Sequence, residues 1–375
     1  MVKLPWTHRT APNFMIEVTD ACNLACRACY KKHGTTFKTL EHVQQDLDVG
    51  TRLRPVHTVT ISGGEATLHP ELCRIVERIK QRQVHVFLLT NGVLLDRERL
   101  VCLKQSGLDS ILFHVDAGQC RPDLPQNPDF ASIAKRLSEL VGWAFECGLD
   151  VSVSATLYGN EPHFLRDMSQ FFFRTPEITF LFISNGILPG RQGPAHEGER
   201  PFLQSDFDVN TLQAFFEAEY GIEPYAYIPA QDSNRISWLS YFVPVVYRGN
   251  GPGQRHTLFR MCSNRVDVWL MQVPRFLKGR YIHKTTQNPT LTLFRVALNA
   301  LTSFHPIRGL RFFGAALLAG GGVRHKMIAY DSGPLRRADG SVEHCEYCPT
   351  AIVRGDALVP CCVADYGDGS EGNAP

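Results

Sequence analysis

The feature that most limits how this chain can fold is an alternation of short strand-like and helical segments over its first 185 residues. Strands are expected at Phe14–Thr19, His57–Ser62, Val84–Leu89, Asp109–Val115, Val151–Thr156 and Glu177–Ile183. Helices are expected between them, at about Leu40–Leu53, Pro70–Arg82, Asp96–Ser106, Ala131–Cys147 and Pro162–Arg174. In the second of these, Leu72, Ile75, Val76 and Ile79 recur on one helical face. Gly63-Gly64, Asn91-Gly92, Gly107 and Gly148 punctuate the units. Such alternation predicts a parallel sheet with right-handed crossovers. Six units suit an α/β, TIM-like partial (βα)6 barrel better than a closed eight-stranded one. In such sheets the working groups sit at the carboxyl ends of the strands.

The pattern weakens beyond residue 185. With 375 residues, the chain has room for a large domain and a smaller one. The expected division is a core at 1–185, a linker and substrate-side segment at 186–260, and a smaller cysteine-rich α+β domain at 261–375. No acidic residue occurs from Phe276 through Ala329. Within that stretch, the run from Leu291 to Val323 reads as two ordinary core helices, as the lining of an apolar pocket, or as peripheral membrane contact. A net charge of +2 points to neither nucleic acid nor an acidic partner. No signal peptide and no run of about 20 apolar residues is evident. Twelve cysteines in such a chain suggest a reducing, cytoplasmic setting, where clustered Cys reads first as metal binding.

The first cluster is Cys22-Asn-Leu-Ala-Cys26-Arg-Ala-Cys29, immediately after the first strand. Three thiolates on one loop can hold three irons of a [4Fe–4S] cubane and leave the fourth iron open. An open iron can be chelated by the amino and carboxylate groups of S-adenosylmethionine (SAM). A zinc site or structural thiols are the plainer alternatives for this spacing.

Together with Ser62-Gly63-Gly64-Glu65 at the end of the second strand, the loop resembles the radical SAM superfamily over roughly residues 12–185. The resemblance implies that Gly63, Gly64 and Glu65 hold the SAM amino group. Leu89-Thr90-Asn91-Gly92 and His114-Val115-Asp116-Ala117-Gly118 resemble stretches lining the SAM pocket, so Asn91 and Asp116 become candidates; Ser152 and Ser154 share a face of the fifth strand, and either could reach the ribose. Many relatives carry an aromatic just before the third cysteine. Here that position is Ala28, and Tyr30 follows the cluster instead.

The second cluster is Cys345-Glu-Tyr-Cys348 and Cys361-Cys362, joined through a turn at Arg354-Gly355-Asp356. It resembles the SPASM and twitch auxiliary-cluster modules of some radical SAM enzymes, without the full seven-cysteine pattern. One auxiliary [4Fe–4S] cluster is the expectation, with Cys262 as a further ligand, against a structural zinc ribbon. Cys73, Cys102 and Cys147 read as buried structural thiols. Cys120 is a candidate for a substrate-side role.

The expected activity is reductive SAM cleavage to a 5′-deoxyadenosyl radical that abstracts hydrogen from a substrate, with an electron donor such as flavodoxin or ferredoxin. A small metabolite or apolar lipid substrate is preferred. Modification of a ribosomally made peptide is the alternative, although no leader-binding extension is evident before Phe14. A non-enzymatic Fe–S or zinc scaffold is the third.

Overall fold

The computed structural model describes residues 1–158, 162–186, 207–231, 235–249, 254–261, 265–282, 287–303, 306–319, 322–336 and 342–365, without the side chains of 265–267. Strand β1 (Val2–Lys3) lies at one edge of the sheet. Six parallel strands form its centre in sequence order: β2 (Asn13–Glu17), β3 (Thr58–Ser62), β4 (His85–Thr90), β5 (Ser110–His114), β6 (Asp150–Leu157) and β7 (Ile178–Asn185). Helices α1 (Leu40–Leu53), α2 (Leu72–Lys80), α3 (Arg97–Gln105), α4 (Phe130–Glu146) and α5 (Pro162–Arg174) connect them. The starts are fixed by side-chain caps: Thr39, Asp96 and Asp129 accept backbone N–H groups in the first turns of α1, α3 and α4. This is the expected α/β partial barrel, and every expected strand and helix of the first 185 residues is present within two residues at either end.

Side chains alternate across the strands. Phe14, Ile16, Val59, Ile61, Val86, Leu88, Ile111, Phe113, Val153, Leu181 and Ile183 point outward into one core with α1–α5. The alternate residues face inward. Strand register aligns Glu17, Ser62, Leu88's neighbour Leu89, Leu112, Ser152 and Phe180 across one inner row. His114, Ser154 and Phe182 form the next row toward the carboxyl ends.

The later segments extend this same sheet. After α6 (Val209–Tyr220) come β8 (Ala226–Pro229), the long β9 (Ile236–Arg248) and β10 (Arg255–Leu258). Helices α7 (Arg265–Lys278), α8 (Pro289–Thr302) and α9 (Pro306–Leu318) precede β11 (Val323–Asp331). Strand β11 pairs parallel to β7 and antiparallel to β9. The short β12 (Leu335–Arg336) and β13 (Val342–Glu343) pair with each other. The hairpin β14 (Ala351–Arg354) and β15 (Ala357–Pro360) joins the opposite edge, with Ile352 beside Met15 of β2. Among the described residues, thirteen strands therefore share one sheet, and its path has two ends. A second core covers the inner face near β9 and β11. It contains Trp238, Phe242, Val296, Phe312, Tyr347 and Cys348, with Phe180 and Phe182 packed against it.

The expectation for Cys73, Cys102 and Cys147 is corrected. None is buried, and Cys73 on α2 is disulfide-bonded to Cys102 on α3, with Cα atoms 6.5 Å apart. Spacing along one helix could not reveal a partner on the next.

Candidate functional site

The cysteine loop leaves β2 at its carboxyl end and is pinned before it carries any cysteine. Val18 N donates to Ser62 O, Gly64 N to Thr19 O (2.9 Å) and Glu65 N to Ala21 O (2.8 Å). A Cβ on Gly63 would lie 2.3 Å from Thr19 O, and one on Gly64 2.2 Å from Ala21 O. Gly63 also has φ +147°, so both positions require glycine for backbone-to-backbone contact. The far side of the loop is held by Asp20, whose carboxylate accepts from Thr36 N (2.6 Å) and Thr36 Oγ1 (2.7 Å).

Glu65 is 2% exposed and ties two strand ends together. Its Oε1 accepts from Thr67 N, Thr67 Oγ1 and Thr90 Oγ1, at 2.9, 2.5 and 2.7 Å, and Oε2 accepts from Asn91 N at 2.7 Å. Asn91 donates through Nδ2 to Asn23 of the cysteine loop (2.8 Å) and accepts Val93 N. Asp116 caps a short turn at Ala117–Gln119. It accepts from Gly118 N and Tyr158 OH, and its Oδ2 lies 2.6 Å from His114 Nε2. The same His114 nitrogen lies 3.0 Å from Thr156 Oγ1. Arg27 N, inside the cysteine loop, donates to Gly118 O (2.6 Å). The loop is thus fastened to the carboxyl ends of β3, β4 and β5. Ser154 is buried on β6, on the same inner face as His114 and Thr156. Cys120 is exposed with φ +51°, at the end of the Asp116 turn.

The three loop cysteines share an anionic neighbourhood. Burial pushes the Cys22 thiol up to about 11, with Glu65 and Cys29 adding to it. Burial pushes Cys26 up further, followed by repulsion from Cys29, Asp116 and Cys22. Soft sulfurs gathered beside two carboxylates are a donor set that a cationic iron–sulfur cluster would neutralise. A cubane takes one sulfur per iron, so the sulfurs need not close on one point. Among the described residues, no three His, Cys, Asp or Glu side chains do so for a single ion.

The family model of the radical SAM superfamily matches residues 16–160. Over those residues the chain carries a radical SAM domain. Its cofactors are accordingly a [4Fe–4S] cluster and SAM. A GTP 3′,8-cyclase of Streptomyces coelicolor is 30% identical over 158 residues, which are 40% of this chain and 46% of that protein. A probable GTP 3′,8-cyclase of Pyrococcus horikoshii is 32% identical over 115 residues, 29% of this chain and 35% of that protein. The chain therefore spans about a third to a half of the length of these relatives. Streptococcus suis SuiB bound to S-adenosylmethionine is similar in structure with 15% identity and a TM-score of 0.43, over 56% of this chain and 47% of that one.

The radical SAM loop also reaches the C-terminal cysteines. Tyr30 is hydrogen-bonded to Ser62 and has Cys361, Glu17 and Cys29 around it, and its burial holds the phenol well above its ordinary value. Cys348 accepts hydrogen bonds from the thiols of Cys345 and Cys361, which hold it well below the ordinary thiol value and push those two up. Burial pushes Cys362 up beside them. Thr350 Oγ1 lies 3.2 Å from Cys348 Sγ and 3.4 Å from Cys361 Sγ. Four sulfurs therefore gather at the base of the β14–β15 hairpin. Cys262 lies outside the described residues.

Several residues that organise this region were not legible locally. Arg121 has a side chain 1% exposed and donates to Asn91 O (2.7 Å) and Gln119 Oε1 (3.0 Å) while pairing with Asp123. Lys31, Glu17, Arg354 and Asp365 form one ion-pair network. No motif announces these residues, because contacts such as Arg121 to Asn91 and Lys31 to Asp365 form only when distant segments fold together.

Proposed function

We propose that this protein is a radical SAM enzyme in which Cys22, Cys26 and Cys29 ligate the SAM-binding cluster, and SAM lies over the carboxyl ends of β3 to β6. When bound, cluster and SAM supply reductive C–S cleavage and a 5′-deoxyadenosyl radical that abstracts hydrogen from substrate. The chain's own part is to position them. Gly63 and Gly64 bring backbone against the cysteine loop, and Glu65 holds that turn rigid through four hydrogen bonds. Asn91 carries the restraint to Asn23, and Asp116 keeps the Gly118 turn on Arg27. Tyr30 is proposed to supply a ring and Ser154 a hydroxyl for SAM.

The reading rests above all on one observation: the two turn amides Gly64 and Glu65 clamp the loop that carries all three thiols. The inner face next to Ser154 continues into Phe182 and Trp238, whose rings are 5.3 Å apart. This aromatic wall favours a small or apolar substrate. GTP, named in the relatives above, is the comparison substrate, and its consumption would redirect the proposal. The second sulfur group (Cys345, Cys348, Cys361 and Cys362) is proposed to hold an auxiliary [4Fe–4S] cluster. Reduction would come from a flavodoxin- or ferredoxin-type donor.

The test is electron paramagnetic resonance of the anaerobically reconstituted, dithionite-reduced protein. Adding SAM should change the cluster signal in the wild type and leave it unchanged in Cys26→Ala. A signal indifferent to SAM in both would contradict the assignment.

A further inference from the structure

The helices between β10 and β11 bury apolar side chains such as Val296 and Phe312 and also carry large apolar side chains on their outward faces. On α8 the buried positions include Thr292 and Asn299, and Thr292 Oγ1 lies 3.0 Å from His325 Nδ1. The outward positions Leu291, Phe294 and Leu301 are 48%, 56% and 74% exposed. Their spacing of three and seven residues makes one helical stripe. On α9, Gly309 approaches Ala300 so closely that a Cβ would sit 2.6 Å from the alanine Cβ. Gly309 and Ala300 thus let the two helices approach and Phe312 is buried, while Ile307, Leu310 and Leu317 point outward, up to 83% exposed. On α7, Trp269, Phe276 and Leu277 repeat the pattern, with Phe276 90% exposed. Helix α8 packs against both α7 and α9, so the three stripes belong to neighbouring helices. Large apolar side chains exposed in such number on three neighbouring helices point to a partner.

Charge identifies the partner. From Phe276 through Ala329 the chain has no acidic residue, and Lys278, Arg308 and Arg311 are exposed beside the apolar stripes. A two-fold contact with a second copy would set these cations against themselves. An anionic bilayer surface matches both properties, because its interface takes apolar side chains and its headgroups attract Lys and Arg. The helices are too short to span: α8 has 14 residues, about 21 Å against a hydrocarbon core of about 30 Å. We infer that α7–α9 form a docking module that lays this protein on an anionic lipid surface. The inference stands apart from the radical chemistry, since binding alone reads it out.

The experiment is sucrose-gradient flotation of the full chain with phosphatidylcholine vesicles containing about a third phosphatidylglycerol, and with pure phosphatidylcholine. Wild type should float with the anionic vesicles and be displaced by high salt. The triple variant Leu301→Glu/Leu310→Glu/Leu317→Glu should bind at least about tenfold more weakly, and Arg308→Glu/Arg311→Glu should lose the preference for anionic lipid. All five side chains are exposed, so the variants should keep the wild-type melting temperature, which separates lost docking from lost folding. Wild type remaining at the bottom of the gradient, or the triple variant floating equally well, would overturn the inference. So would light scattering that shows a dimer dispersed by the same triple variant, because the patch would then belong to a second copy.

Discussion

Lys31, two residues past the last cysteine of the radical SAM loop, pairs at 2.7 Å with Asp365, three residues past the Cys361-Cys362 pair. Lys31 also pairs with Glu17 at 3.0 Å, and Arg354 bridges Glu17 and Asp365 from β14. Side chains from the end of β2, the cysteine loop, the hairpin and the C-terminal segment are thereby joined in one largely buried network. It borders a cavity of about 280 Å³ lined also by Asp20 and Lys38. The two sulfur-rich sites are mechanically linked by charge.

That link predicts coupling. A double-mutant cycle on Lys31→Ala and Asp365→Ala should give an interaction energy of about 1–3 kcal/mol by denaturant unfolding, since both side chains are mostly withdrawn from water. Additive single effects would show that the two sites are held independently.

The glycine turn predicts an asymmetry among glycines. Gly63→Ala and Gly64→Ala each force a Cβ into a backbone carbonyl and should cost at least about 2 kcal/mol, with loss of cluster retention. Among the described residues, nothing lies within 4 Å of the would-be Cβ of Gly142 on α4. Gly142→Ala should instead stabilise the protein by about 0.5–1 kcal/mol. Equal melting temperatures for all three variants would show that the close approach is not real.

His57 sets a pH dependence. Burial, then the cations of Arg280 and Lys278, lower its pKa to about 4 from the ordinary 6.5. The unfolded chain takes the proton first. The stability this neutral ring contributes is therefore complete above about pH 6.5 and is lost as pH falls toward 4. The loss should be about 2 kcal/mol, less than the full shift would give because the ring is only half-buried. His57→Gln should flatten this part of the stability profile. An unchanged profile would place the acid sensitivity elsewhere.

The C-terminal sulfurs predict a metal count. A Cys22→Ala/Cys26→Ala/Cys29→Ala variant should keep about four irons and four sulfides after anaerobic reconstitution. Adding Cys348→Ala, which removes the thiol hydrogen-bonded by Cys345 and Cys361, should abolish them. A single zinc in the triple variant would replace the auxiliary cluster with a structural site.

Local periodicity was sufficient for β2–β7 and α1–α5 because each unit carries its own apolar face and its own stop signal. Thr39, Asp96 and Asp129 cap where a sequence reader looks for caps. The later strands were not legible as parts of the same sheet. Strand β9 is buried along nearly its whole length, so it shows no alternation, and its partner β11 lies beyond three helices. The β14–β15 hairpin was visible at Arg354-Gly355-Asp356, but its place beside β2 depends on a pairing across more than 300 residues. At the site, the cysteine spacing and the glycine turn could be read directly. The role of Glu65 could not, since its four donors come from Thr67, Thr90 and Asn91, and only folding brings the last two to it.

The most direct measurement is 5′-deoxyadenosine formation by the reconstituted protein with SAM and dithionite, comparing wild type with Cys22→Ala. Wild type should release the nucleoside and the variant should release none above the protein-free control. Equal yields from the two proteins, or none from a wild type shown to carry its iron and sulfide, would contradict the account.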